Sequence, residues 1–576
     1  MNQKLENILN VSLDATEDEL RKADSLSTGY NWRDNTWEII VKYSGSLESI
    51  RNRYNVYIKE LLNYYAIIVA DKATIELISQ EDVIDYVEKP KSLYYQIERT
   101  KTAACVGSVR ADGNILSGKG VIVGVIDTGI DIFDNAFRNS DGTTRILNIY
   151  DQTTGEKYDK QSIDEYIRLN EDLSGGTFSY DNAPGVDNIM HGTDVSYIAA
   201  GSLGVAYEAD IIAVKMGYSI NNQFPRTTSL MDAIDYIIRK AIEYRKPVAV
   251  NISYGCNYGA HNGNTLLESF IDDISKSYRC VICVGSGNEA DKAIHFGGII
   301  NTGQVQTAYL SVGEYQSAID IQIWKNYWDT IDVMLINPRG EQIGIITEGR
   351  INRYETYNTE IITLLGEPSP YNIYQEIYIN LIPKTDYILS GIWQIVLMAG
   401  SIRAGEYNIW LPSSQALGYA TAFNNPTADG TITIPATARN CIAVGAYNAY
   451  TNSYAAFSGR GFDNSIRNVN AGVKPDITAP GVDISIARQS GNDITYRNVT
   501  GTSYAVPVVT GAAALLMQWG IVMGNDRFMY GEKLKAALID GSKPVGLVGI
   551  TRNDNQPDPR TGWGAVCLKN TLNKIL

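Results

Sequence analysis

Three short segments carry side chains that can do chemistry together. Asp127 closes the apolar run GVIVGVID and is followed by Thr128 and Gly129. A carboxylate at the end of a core strand is costly to bury unless something accepts its charge, although Asp before Thr-Gly also fits a simple turn cap. His191 opens HGTDVSYIAAG, ahead of a helix of small residues, and is one of only three histidines in the chain. Taken alone it could be structural or catalytic. Ser503 lies in NVTGTSYAVPVVTGAAALL, at the entrance of an apolar helix after a Gly-Thr turn. A helix N-terminus favours negative charge developing nearby, yet Ser or Thr there equally serves as a plain cap. An acid, a base and a hydroxyl are the side-chain types of nucleophilic acyl transfer.

The elements that must position these residues are legible in outline. From about residue 97, near-continuous apolar runs (GVIVGVID, IIAVKM, PVAVNISYG, CVICVGSGN, CIAVGAYN) alternate with helical stretches such as SLMDAIDYIIRKAIEY. That is the grammar of a doubly wound α/β domain with a parallel sheet, whose functional groups gather at the C-terminal ends of the strands. Between about 296 and 415 the pattern becomes short alternating strands, among them IDIQIWKN, IDVMLINPRG, GIITEG, EIYINLIP, WQIVLMA and GEYNIWLP. An all-β sandwich or jelly roll inserted into the α/β domain is expected there. The α/β pattern returns over 416–576.

Residues 1–96 read as a separate unit. A capping box at Thr16 and Glu19 predicts a helix start. TWEIIVKYSG, SLESIRNRY, YIKELLNYYAIIVA, DKATIELISQ and VIDYVEK then give the order β-α-β-(β)-α-β of a small ferredoxin-like module. It ends in the extended stretch KPKSLYYQ.

Composition narrows the classes. At 576 residues, two to four folded units are expected. With 64 acidic against 49 basic residues the net charge is −15, which argues against a nucleic-acid partner. No apolar run reaches the ~20 residues that span a bilayer, so no membrane partner is expected. The polar, acidic N-terminus lacks a secretory h-region, so synthesis in the cytoplasm is expected. The six scattered cysteines, including the C-x-x-C pair Cys280 and Cys283, are read as buried free thiols rather than a metal or redox site.

Taken together, the three segments resemble the signatures of the subtilases, the subtilisin-like serine peptidases, in order and context. They are Asp-Thr-Gly-Ile-Asp at Asp127 to Asp131, His-Gly-Thr at His191 to Thr193 and Gly-Thr-Ser-x-Ala-x-Pro at Gly501 to Pro507. VNISYG (Val250 to Gly255), VGSGN (Val284 to Asn288) and KPDITAPG (Lys474 to Gly481) agree. The resemblance implies that Ser503 is the nucleophile, His191 the general base and Asp127 its orienting carboxylate. Asn288 and the Ser503 N–H would form the oxyanion hole, and Ser253, Tyr254, Gly255, Gly285 and Gly287 would shape the P1 pocket. It implies no cofactor, and the residues of the family's tight calcium site are not recognised in this sequence, so no metal is expected. The first unit becomes an N-terminal prodomain, a folding chaperone whose tail lies in the cleft as an inhibitor, with self-cleavage near Tyr95, Gln96 or Ile97. Asp194 departs from the family, which usually has a second His there; its charge could shift the His191 pKa.

The whole layout (prodomain, inserted β unit, no C-terminal extension) resembles the Csp germination proteases of clostridial spores. That implies limited proteolysis of a protein substrate, the zymogen of a cortex-degrading hydrolase, and packaging in the spore. Two rival readings stay in view. One is a pseudoprotease scaffold, against which the intact triad and Asn288 speak. The other is a carbohydrate binder built on Trp324, Trp328 and Trp393 of the β unit, whose spacing suits core positions equally.

Overall fold

The computed structural model describes residues 2–92, 94–95, 116–174, 183–217, 224–344, 346, 350–462, 472–490, 493–546 and 557–575. Its centre is a mainly parallel sheet. The strand Ile122–Asp127 runs parallel to Asp210–Lys215 on one side and Val248–Ile252 on the other. Val248–Ile252 pairs in turn with Cys280–Gly285, and that strand with Ile442–Asn448. Ile122–Asp127, Val248–Ile252 and Cys280–Gly285 are buried at every position, as a sheet covered on both faces requires. The helices Thr227–Tyr244 and Leu266–Ser277 cover one face; His191–Ala200 and Thr502–Met517 cover the other.

The Thr502–Met517 helix continues through Gln518–Val522. This 21-residue stretch has a mean hydropathy of 1.7 in its best window, which corrects the expectation that no run is long and apolar enough to cross a bilayer. In the fold 83% of that window is buried. Its apolarity is that of a helix sunk in the middle of the core.

The N-terminal unit forms the expected pattern of strands and helices. Thr36–Tyr43, the helix Glu48–Tyr54, Tyr57–Leu61, Tyr65–Ala70, the helix Lys72–Ile78 and Ile84–Glu88 follow in order. Thr36–Tyr43 is central, paired with Tyr65–Ala70 and Ile84–Glu88, and all pairings are antiparallel. YIKELLNYYAIIVA is thus a hairpin, not one long strand. Thr16 and Glu19 close a reciprocal capping box. Ahead of it stands a helix that the sequence pattern did not reveal, Asn7–Asp14.

Residues 295–423 contribute two antiparallel sheets, one of six strands and one of five, that share one apolar core. Strand Tyr374–Pro383 of the six-stranded sheet is buried at all ten positions. The alternation of side chains explains why. Ile377, Ile379 and Leu381 face the core between the two sheets, whereas Tyr378 and Ile382, with Ile362 and Leu364 of the neighbouring strand, join the core of the N-terminal unit. Trp393 is buried, Trp324 half-buried and Trp328 45% exposed, so the three do not form one exposed aromatic platform. Part of GIITEG lies outside the described residues.

Cys256, Cys280, Cys283, Cys441 and Cys567 are free and buried; Cys105 lies outside the described residues. Burial pushes the Cys280 and Cys283 thiols up to about 12, so they stay protonated and inert.

Candidate active site

Asp127 is the last residue of the central strand, and His191 is the first of the helix His191–Ala200. The His191 Nδ1 lies 2.6 Å from Asp127 Oδ1, which also accepts the Thr128 N–H at 2.8 Å. A carboxylate can only accept in this setting, so Nδ1 carries the proton and Nε2 is left as the basic nitrogen. Both side chains are about 1% exposed. Burial depresses the His191 pKa most strongly, but the charge and hydrogen bond of Asp127 outweigh it, with Asp187 and Asp194 adding to them. The net direction is upward from 6.5.

Asp187 holds the two segments together. Its Oδ1 accepts from Thr128 Oγ1 at 2.7 Å and from the Met190 N–H at 2.8 Å, and its Oδ2 accepts from the Thr193 N–H and Oγ1, each at 2.8 Å. Thr128 Oγ1 in turn accepts the Gly192 N–H at 2.9 Å. A Cβ on Gly192 would fall 2.3 Å from the Gly129 carbonyl and 2.9 Å from Asp127 Cβ, so only glycine permits this approach.

Ser503 is the second residue of Thr502–Met517, entered through Gly501 at φ 148°, and is fully buried. Its helix packs against the helix of His191, and the Tyr504 ring sits 5.3 Å from the imidazole. A short ladder fixes the helix to the cleft strand. Thr510 Oγ1 donates to Asn251 Oδ1 (3.2 Å), Asn251 Nδ2 to Ser253 Oγ (3.1 Å), and Ser253 Oγ to the Ser503 carbonyl (3.3 Å).

Asn288 comes from the loop after Cys280–Gly285. Its Oδ1 accepts from the Thr502 N–H and from Thr502 Oγ1, both at 3.1 Å, and its buried Nδ2 has no acceptor among the described residues. An amide donor held next to a serine at a helix start has the chemistry to receive an oxyanion that exists only during reaction. Gly287, at φ +93°, passes so close to Thr433 that a Cβ would lie 2.5 Å from its Cγ2. Thr433 donates its N–H to the Ser286 carbonyl, while Ile434 exchanges backbone bonds with Cys256. These contacts, with the parallel pairing of Val248–Ile252 and Cys280–Gly285, bring Tyr254 and Gly255 close to Gly285 and Gly287, with Thr433 beside them.

Tyr254–Gly255 pairs antiparallel with Tyr94–Tyr95, Tyr254 opposite Tyr95 and Gly255 opposite Tyr94. The tail of the N-terminal unit lies along the cleft strand as an added strand, the way extended peptides bind. Gln96 lies outside the described residues.

The chain matches the subtilase family over residues 118–368 and 404–564, and the Csp protease B prodomain over residues 3–91. It belongs to the subtilase family of serine endopeptidases. It is similar to the structure of the Clostridium perfringens CspB protease, at 34% identity and a TM-score of 0.73 over 82% of this chain and 96% of that one. Two fungal relatives match locally. They are the subtilase-type proteinase RRT12 of Saccharomyces cerevisiae, 33% identical over 128 residues (22% of this chain), and the subtilisin-like protease 10 of Arthroderma otae, 34% over 120 residues (21%). The matched stretch spans 23% and 27% of the length of those two curated relatives.

Three residues of this subtilase escaped the sequence reading. Asp187 precedes His191 by four positions in an unremarkable loop. Thr433 approaches Ser286 and Gly287 from beyond the inserted β unit. Glu289, next to Asn288, is buried and accepts the Ser414 N–H (3.1 Å) and Oγ (3.2 Å) where the chain returns from the insert. Burial pushes its carboxyl up to about 7.

Proposed function

We propose that this subtilase hydrolyses peptide bonds through an acyl-enzyme, with Ser503 as nucleophile, His191 as general base and then acid, and Asp127 as the carboxylate that orients and stabilises the imidazolium. Asn288 Nδ2 and the Ser503 N–H receive the oxyanion. The observation that carries this reading is the hydrogen bond of His191 to Asp127, set at the strand ends beside Ser503 and the poised amide of Asn288.

The chain is, on this reading, a self-processing zymogen in which residues 1–96 chaperone folding and then inhibit. Antiparallel pairing of Tyr94–Tyr95 with the cleft strand supports it, because a tail that has just been cut would rest there as product. The inserted β unit, a jelly roll or sandwich, braces the prodomain. The likeness to CspB points to limited proteolysis of a protein substrate, and we extend the Csp reading to a spore cortex hydrolase zymogen as substrate and to packaging in the spore.

Expression of the chain beside Ser503→Ala, with intact-mass analysis, tests the reading. The wild type should separate into pieces of about 96 and 480 residues while the variant stays whole. Two uncut chains would favour a subtilase-fold scaffold without catalysis.

A further inference from the structure

A charge pair with one buried and one exposed member reaches the site from a side that the triad does not use. Asp194 lies three residues after His191 on the same helix, hence on the same face one turn away, and is fully buried. Its Oδ2 lies 3.3 Å from Arg497 Nη2. Arg497 belongs to the strand Asp493–Val499, six positions before Ser503, and its side chain is 43% exposed. The pair therefore ties the helix that carries His191 to the hairpin that leads into Ser503.

We propose that Asp194 and Arg497 act as positioning residues that set the basicity of His191, and with it the pH at which the enzyme switches on; this rests on His191 being the general base. Among the described residues, the charged or titratable groups around the imidazole include Asp127 at the strand end, Asp187 in the preceding loop, Asp194 on its own helix, Tyr504 on the Ser helix and, through Asp194, Arg497 on the hairpin of Ile484–Ser490 and Asp493–Val499. Asp127 and Asp187 are occupied by the hydrogen bonds that build the site. Asp194 pairs with the arginine, so a substitution of this pair changes the field at His191 without removing the bonds of Asp127 and Asp187.

The sign follows from charge. A negative Asp194 favours imidazolium and moves the acid limb of activity to higher pH. Arg497 opposes it, both by offsetting Asp194 and by its own positive charge. The half-exposed guanidinium is screened by water, whereas the carboxylate is not, so the carboxylate has the larger effect.

The test is the pH profile of kcat/KM for the processed enzyme with Asp194→Asn and Arg497→Gln, singly and combined. Asp194→Asn should move the acid limb down by roughly half a pH unit, and Arg497→Gln should move it up by a few tenths, as expected for charges about a helical turn apart in a partly screened site. The double variant should fall between the two single variants, below the parent. Limbs that stay put, or that move in the same direction in both single variants, overturn the proposal. If Asp194→Asn does not fold, the upward shift of Arg497→Gln decides alone. An inactive wild type would instead sink the reading of the triad, which separates the two failures.

Discussion

Thr502 dictates which way the Asn288 carboxamide points. By donating both its N–H and its Oγ–H to Asn288 Oδ1 at 3.1 Å, it fixes which end of the amide faces it and leaves Nδ2 for another acceptor. Asn288 and Thr502 are far apart in sequence, and the whole inserted β unit lies between them. The orientation of the proposed oxyanion donor is therefore set by the Ser segment itself.

Asn288→Ala should lower kcat by roughly 10²–10³-fold with little change in KM, because the lost interaction exists only in the transition state. Thr502→Val, which leaves one of the two bonds to Oδ1, should cost about tenfold. Steady-state kinetics on a peptide substrate reads both.

Asp187→Asn keeps the shape of the side chain but sets an NH2 group against donors. Whichever oxygen is replaced, N–H or O–H groups from Thr128, Met190 or Thr193 lose their acceptor. A loss of about 2–4 kcal/mol in unfolding free energy is expected, from the buried donors left unsatisfied. Denaturant titration of the Ser503→Ala background measures it without self-digestion.

Lys91 lies buried between two carboxylates, Glu6 at 2.7 Å and Glu88. Glu88 also accepts the Leu266 N–H at 2.8 Å, at the start of a helix of the catalytic domain. Lys91→Met removes the cation and leaves Glu6 and Glu88 to repel each other in the interior. Breaking a buried pair in this way costs about 3–5 kcal/mol. The expected outcome is poor folding and a prodomain that separates from the catalytic domain in size-exclusion chromatography after processing.

Glu376 gives a pH dependence of definite sign. Buried among Gln322, Asn7 and the nearby Glu6, its carboxyl is pushed up to about 7, mainly by burial. A raised folded pKa contributes stability that is complete below the unfolded value of about 4.3 and fades as pH rises through about 7. Glu376→Gln should therefore be more stable than the parent at pH 8, by ~1–3 kcal/mol. The advantage should be small at pH 4, because Asn7 and Gln322 can turn their amides to suit a neutral partner. Thermal melts of the Ser503→Ala background at both values check it.

What the sequence revealed was whatever is local. The apolar run that ends at Asp127, the small residues behind His191 and the Gly-Thr turn before Ser503 are each written in consecutive residues, and each lies where such a pattern should put it. The ferredoxin-like order of residues 30–88 was legible for the same reason, since periodicity and capping are short-range. What escaped depends on contacts between distant segments. Asp187 looks like any loop aspartate until Thr128 and Thr193 converge on it. Thr433 and Ser414 return to the site only after an excursion through the β unit. The hydropathy of Thr502–Val522 reads as a span until the surrounding core is seen. The helix Asn7–Asp14 was hidden because its apolar face serves two units, its own sheet and the insert, which blurs the expected stripe.

The strand Tyr374–Pro383 turns one side inward and the other toward the prodomain, and this makes the prodomain a matter of solubility as well as inhibition. A protease stripped of residues 1–92 would present Ile362, Leu364, Tyr378 and Ile382 to water, together with the Glu376 carboxyl that burial now keeps near neutrality. A contiguous apolar patch of that kind drives self-association. On the self-processing reading, cutting the chain after Tyr94–Tyr95 and parting with the severed piece would be separate events, the second opposed by the wetting of an otherwise dry surface, and the two-chain particle would be the form that can remain dispersed.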